Sequence, residues 1–112
     1  MKKYYHQKLI RDKIPQKIEE NGGEYKTRVL GKLEFETELK KKLVEEAKEL
    51  IKAPRKELLN ELADVLELTK SIASHHKISF SKVEKFQKEK KIKRGGFTKK
   101  LFLVWSSQRA GR

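Results

Sequence analysis

Between Glu45 and Glu67 stand seven acids and four bases, a window of net −3 in a 112-residue chain whose formal charge is +13. The stretch reads E-E-x-x-E at 45–49 and, twelve residues after Glu49, E-x-x-D at 61–64. At 100° per residue, Glu45, Glu46 and Glu49 share an arc of about 100° on one helix, and Glu61 and Asp64 share about 60° on another. Ala53-Pro54 offers a tight turn between the two segments, so the helices should pack antiparallel. Facing positions in such a pair keep a constant index sum. One register, centred on Arg55, sets Glu49 level with Glu61 and Glu46 level with Asp64. Glu46 falls between Leu43 and Leu50 on the apolar stripe, and Glu61 falls between Leu58 and Val65, so both belong to the seam.

Carboxylates that meet at a helix interface repel. One close pair costs about 4 kcal/mol at an effective dielectric near 20. Protonation or a cation must relieve that. No histidine or cysteine stands near these acids in the sequence, and an all-oxygen donor set suits a hard divalent ion, Mg²⁺ first and Mn²⁺ second. Any one of these acids alone would read as an exposed partner of Lys48, Lys52 or Lys56. Matched register and seam placement mark Glu46, Glu49, Glu61 and Asp64 together as a metal site.

The elements that position them follow from periodicity. Leu39, Leu43, Ala47 and Leu50 predict a long helix from about Leu33 to Ala53, broken where Ala53 precedes Pro54. Leu58, Leu62, Val65, Leu66, Thr69 and Ile72 predict a second from about Pro54 to Ser74. Upstream, Asp12 can cap a short helix with Pro15 in its first turn and Ile10, Ile14 and Ile18 as its stripe, stopped by the glycines after Asn21. Ser81 and Glu84 have capping-box spacing and open a further helix to Arg94, ended by Gly95-Gly96. Alternation of Tyr25, Thr27 and Val29 suggests a short strand, and Leu101–Trp105 a second one beside it. The expected fold is an all-α antiparallel helix bundle with a minor β element: one domain over 1–105, then a disordered tail over 106–112.

E-E-x-x-E…E-x-x-D across two antiparallel helices resembles the motif of the all-α nucleoside triphosphate pyrophosphohydrolase superfamily. That group includes the MazG proteins, the dimeric dUTPases and phosphoribosyl-ATP pyrophosphohydrolase. "KLIRDKIP" at 8–15 and "KRGGF" at 93–97 are similar to flanking motifs of a small MazG-like, house-cleaning branch, so the resemblance spans residues 8–103. It implies Mg²⁺ on Glu46, Glu49, Glu61 and Asp64, with Glu45 a further ligand or the group that orients the attacking water. Glu45, Glu46 and Glu49 are thus the implied catalytic acids. Phosphoribosyl-ATP pyrophosphohydrolases carry an aromatic–His pair after the aspartate, where this chain has Leu66, Glu67 and Leu68. The resemblance therefore implies the reaction class and leaves the nucleotide open.

Cleavage between the α and β phosphates needs charge neutralisation, an in-line water and a stabilised pyrophosphate leaving group. Carboxylate-held Mg²⁺ answers the first two needs. Bases answer the third: Lys8, Arg11 and Lys13 at one end, Lys93 and Arg94 before the diglycine. Outside the acidic window 25 bases face 9 acids, a net +16 that would draw a polyanionic nucleotide inward.

Composition sets the outer bounds. The absence of cysteine excludes disulfides and thiolate metal sites. No apolar stretch has the length of a membrane span and the basic start lacks an apolar leader core, so a cytoplasmic location is expected. A lone helix pair of this length exposes apolar seam on both sides, which favours a homodimer or higher homo-oligomer. His75 and His76, adjacent at a helix end, should face different ways and are not expected to share a metal. Trp105 is expected to pack or to sit in a dimer contact. The alternative function is a non-enzymatic nucleic-acid-binding protein, supported by the charge, "KEKKIKRGGF" and Trp105.

Overall fold

The computed structural model describes residues 2–107, and every regular element among them is helical. One compact unit runs to Phe80 and a second begins at Ser81.

Helix α1 spans Ile14–Glu20, with Pro15 in its first turn, where the missing N–H costs nothing. The expected Asp12 cap is not made. Lys13 holds the cap position without a side-chain bond, which leaves Asp12 one residue outside the reach of the first free N–H groups. The end is a Schellman turn: the Gly22 N–H donates to Glu19 O at 2.9 Å, and the Gly23 N–H to Ile18 O at 2.9 Å. Gly22 lies at φ 77°, and a Cβ on Gly23 would come within 2.9 Å of the Ile18 side chain. Ile10, Ile14 and Ile18 are half-buried, as their spacing predicted.

Helix α2 spans Lys32–Lys52. Helix α3 spans Leu58–His75, after a single 3₁₀ turn at Arg55–Glu57. Between them Ala53 (ψ 130°) and Pro54 (ψ 162°) are extended, the conformation that proline imposes on itself and its predecessor. Late residues of α2 meet early residues of α3, and early residues of α2 meet its end, so the pair is antiparallel. Helix α3 also closes in a Schellman turn, with Ile78 N–H donating to Ala73 O at 2.9 Å. Its left-handed residue is Lys77 at φ 58°, a conformation that costs a non-glycine residue about 1 kcal/mol. Helix α4, Phe80–Arg94, belongs to the second unit and ends at Gly95, φ 83°. It starts one residue before Ser81, which therefore lies inside the first turn rather than capping it.

Among the described residues α2 against α3 is the one extensive helix–helix packing, and its core is thin. Leu39 (3% exposed), Leu68 (8%) and Ala73 (7%) are the buried apolar side chains. Leu33, Val44 and Ile51 align along the outer face of α2 and remain exposed, as do Leu59, Leu62 and Leu66 on one flank of α3.

The minor β element is absent among the described residues. Residues 24–30 and 101–105 carry no strand structure. Val29 is 99% exposed, and Leu101 through Trp105 are exposed throughout. An alternating pattern becomes a strand only when another strand takes its backbone hydrogen bonds, and neither segment finds one. The first segment is tied down instead by a side chain: Arg28 Nη1 donates to Glu34 Oε1 at 2.9 Å. Trp105 is exposed and packs into no core. Of the tail expected over 106–112, residues 108–112 lie outside the described residues. No helix among the described residues is long and apolar enough to cross a membrane.

Candidate functional site

Proline at 54 forces the chain back on itself, and the helical period then sets Glu46 on α2 against Glu61 and Asp64 on α3. One oxygen from each of these three carboxylates lies within 4.8 Å of the other two, and all three side chains are half-buried. Glu61 Oε2 is shut off from solvent and has no hydrogen-bond partner. A buried anionic oxygen without a donor is costly, and a bound cation is the partner its position suits. Burial, then the Asp64 charge, raises the Glu46 carboxyl above its ordinary value, with Glu61 adding to the shift and Lys42 opposing it.

Arg11 comes from the segment before α1 and donates through Nη2 to Asp64 Oδ1 at 2.8 Å. It was singled out as a phosphate-binding base, and it stands directly at the rim of the carboxylate cluster.

The remaining candidates stand outside that group of three. Glu49, one turn beyond Glu46, and Glu45 beside it are both exposed and lie outside the group of three. They can meet a ligand or a water from the solvent side. Lys8 and Lys13 are exposed on the same chain segment as Arg11. Lys93 and Arg94 are the exposed last residues of α4, in the second unit.

A second cluster escaped the sequence reading. Glu36 on α2 meets His75 and His76 at the end of α3, with His75 Nε2 3.6 Å from Oε2 and His76 Nε2 3.4 Å from Oε1. Adjacent histidines on a continuing helix would point about 100° apart. Here α3 stops at His75, and the two Nε2 atoms reach the two oxygens of one carboxylate. The signal was present in the register: the pairing that sets Glu46 level with Asp64 also sets Glu36 close to level with His75.

The three carboxylates form an all-oxygen set whose charge and burial fit a hard divalent ion with positions left for water or phosphate oxygens. No family model, no curated protein and no solved structure matches the chain, so the residues themselves carry the functional reading.

Proposed function

We propose that this chain is a Mg²⁺-dependent nucleotide pyrophosphohydrolase of MazG-like type. It would split the α–β phosphoanhydride of a nucleoside triphosphate, or a related nucleotide, into monophosphate and pyrophosphate. Mn²⁺ is the second choice of ion, and removal of non-canonical nucleotides in the cytoplasm is the role the resemblance suggests. The observation that carries this reading is the convergence of Glu46, Glu61 and Asp64 around a buried, partnerless Glu61 oxygen. A surface that binds DNA or RNA has no use for such a centre.

The bound ion supplies neutralisation of phosphate charge and a water of lowered pKa. The chain's own residues divide the remaining work. Glu46, Glu61 and Asp64 hold the ion from two helices, and Glu49 completes the set from the solvent side. Glu45, exposed on the same face, orients the attacking water and takes its proton. Arg11 stands 2.8 Å from Asp64 at the rim of the site, where its guanidinium would hold a phosphate oxygen of the bound nucleotide. Lys8 and Lys13 stand on the same segment as further bases for the leaving pyrophosphate, and Lys93 and Arg94 remain the candidates the sequence adds from α4.

The enzyme is proposed to work as a homodimer or higher homo-oligomer. The exposed leucines 59, 62 and 66 on α3, with Leu33, Val44 and Ile51 on α2, offer the surface that a second helix pair would cover.

A pyrophosphate-release screen over canonical and damaged nucleotides, with Mg²⁺, tests the reading. Release that depends on Glu46 is the expected result. If no nucleotide is turned over, while the protein retains DNA or RNA on a filter and Arg94→Ala abolishes the retention, the nucleic-acid-binding alternative replaces it.

A further inference from the structure

The cluster at the other end of the helix pair has different chemistry. Glu36 and Glu46 are ten residues apart on α2, about 15 Å along the axis at 1.5 Å per residue. The donor set here is two imidazole nitrogens and one carboxylate, borderline-soft ligands rather than all-oxygen ones. We propose that Glu36, His75 and His76 form a second metal site, specific for a transition-metal dication of the Zn²⁺ class.

Burial and orphaning of a donor come first. The His75 side chain is only 9% exposed, and its Nε2 is closed to solvent with no hydrogen-bond partner. Glu36 Oε2 lies 3.6 Å away, beyond hydrogen-bond reach. A buried imidazole nitrogen aimed at a carboxylate yet not bonded to it lacks a partner between the two.

Spacing is the second observation. Ligands held at about 2.0–2.1 Å by a tetrahedral ion stand about 3.3–3.4 Å from one another. His76 Nε2 is 3.4 Å from Glu36 Oε1 and His75 Nε2 is 3.6 Å from Oε2, each near that spacing though on different oxygens of the one carboxylate. One donor atom from each of the three residues lies within 4.8 Å of the others. Three protein donors leave a fourth position for water.

The surroundings favour a cation. His75 ends α3, where the carbonyl end of the helix carries partial negative charge. Lys40 Nζ is 3.4 Å from Glu36 Oε1 on an exposed side chain that can swing away. Phe35 packs edge-on to the His75 ring, centroids 5.3 Å apart, and fixes its orientation. The metal would clamp the start of α2 to the end of α3, opposite the proline turn, and so close both ends of a thinly packed pair.

The test is titration of the full-length chain with Zn²⁺ alone, against a chromophoric chelator, in excess Mg²⁺ so that the carboxylate centre is occupied. Co²⁺ in place of Zn²⁺ reports coordination through its visible absorption. One equivalent of Zn²⁺ should bind. Because loss of even an outer partner of a metal ligand costs about tenfold or more in affinity, His76→Ala and Glu36→Gln should each weaken binding by at least that much. His76 is half-exposed, so its replacement spares the fold even where His75→Ala does not. Removal of the exposed His6, and Asp64→Asn at the other centre, should leave Zn²⁺ affinity unchanged. The proposal is overturned if the chain takes up no Zn²⁺ at micromolar concentration, or if His76→Ala and Glu36→Gln bind it like the parent. It is equally overturned if Asp64→Asn is the change that removes Zn²⁺. No nucleotide enters the assay, so its outcome is independent of the pyrophosphohydrolase reading.

Discussion

Replacing Glu46 by glutamine should make the metal-free protein more stable and the metal-loaded protein less so. Each pair among Glu46, Glu61 and Asp64 can stand as close as 4.8 Å or less. Two full charges at 4.8 Å repel by about 3.5 kcal/mol at an effective dielectric near 20. The side chains are half-buried rather than dry, so solvent screens part of this repulsion. Screening therefore leaves a gain of about 1–2 kcal/mol for Glu46→Gln. Glu46 is the clean choice, because Asp64→Asn would also strip Arg11 of its partner. In a domain of this size, 1 kcal/mol moves the melting midpoint by about 4–8 °C. Saturating Mg²⁺ should raise the parent by about 2.7 kcal/mol at a hundred times its dissociation constant, and should raise the variant far less. The assay is a thermal melt of both proteins, with chelator and with Mg²⁺. A metal-free midpoint that falls on substitution, or a Mg²⁺ shift equal in the two proteins, would refute the reasoning.

Glu49→Gln should nearly abolish pyrophosphate release while leaving the metal-free midpoint close to the parent's, since Glu49 is exposed and stands outside the repelling group. Arg94→Ala should raise KM or slow release and leave Mg²⁺ stabilisation untouched, which steady-state kinetics and melts separate. Leu62→Gln or Leu66→Gln should shift the protein from dimer to monomer in light scattering, each leucine contributing about 1–2 kcal/mol when covered. A well-folded monomer of the parent at micromolar concentration would exclude the dimer. Hydrogen bonds from Arg28 hold the Glu34 carboxyl below its ordinary value, so this pair stabilises the fold above that value and the contribution is lost as pH falls through the lowered one. Arg28→Ala should therefore flatten the acid limb of the stability profile, which denaturant titrations between neutral and acid pH would show.

Much of the scaffold was legible because its causes are local. Pro54 cannot continue a helix, glycine tolerates the left-handed residue after α1 and α4, and the apolar period marks α2 and α3 to within a few residues. The antiparallel register follows from the proline turn and the apolar period, so the convergence of Glu46, Glu61 and Asp64 is legible in the sequence. The failures have two causes. Strand formation at Tyr25–Val29 and Leu101–Trp105 depends on a partner elsewhere in the chain, which alternation cannot supply. The capping roles of Asp12 and Ser81 failed by one and two residues of helix start, the least determined feature of a local pattern.

Sequence by itself thus determined what short-range geometry controls: the helices, the turn that pairs two of them and the acids that pairing must confront. Tertiary structure decided the distances and the partners. It left Glu49 in solvent while closing three carboxylates to 4.8 Å, because burial depends on how the pair is rotated about its axes and not on index sums. It laid Arg11, 53 positions away, on Asp64. It also turned two histidines toward one glutamate, because α3 ends where its last carbonyls are capped by His76, Lys77 and Ile78. Those contacts join residues that no local periodicity connects, and only packing brings their atoms within reach.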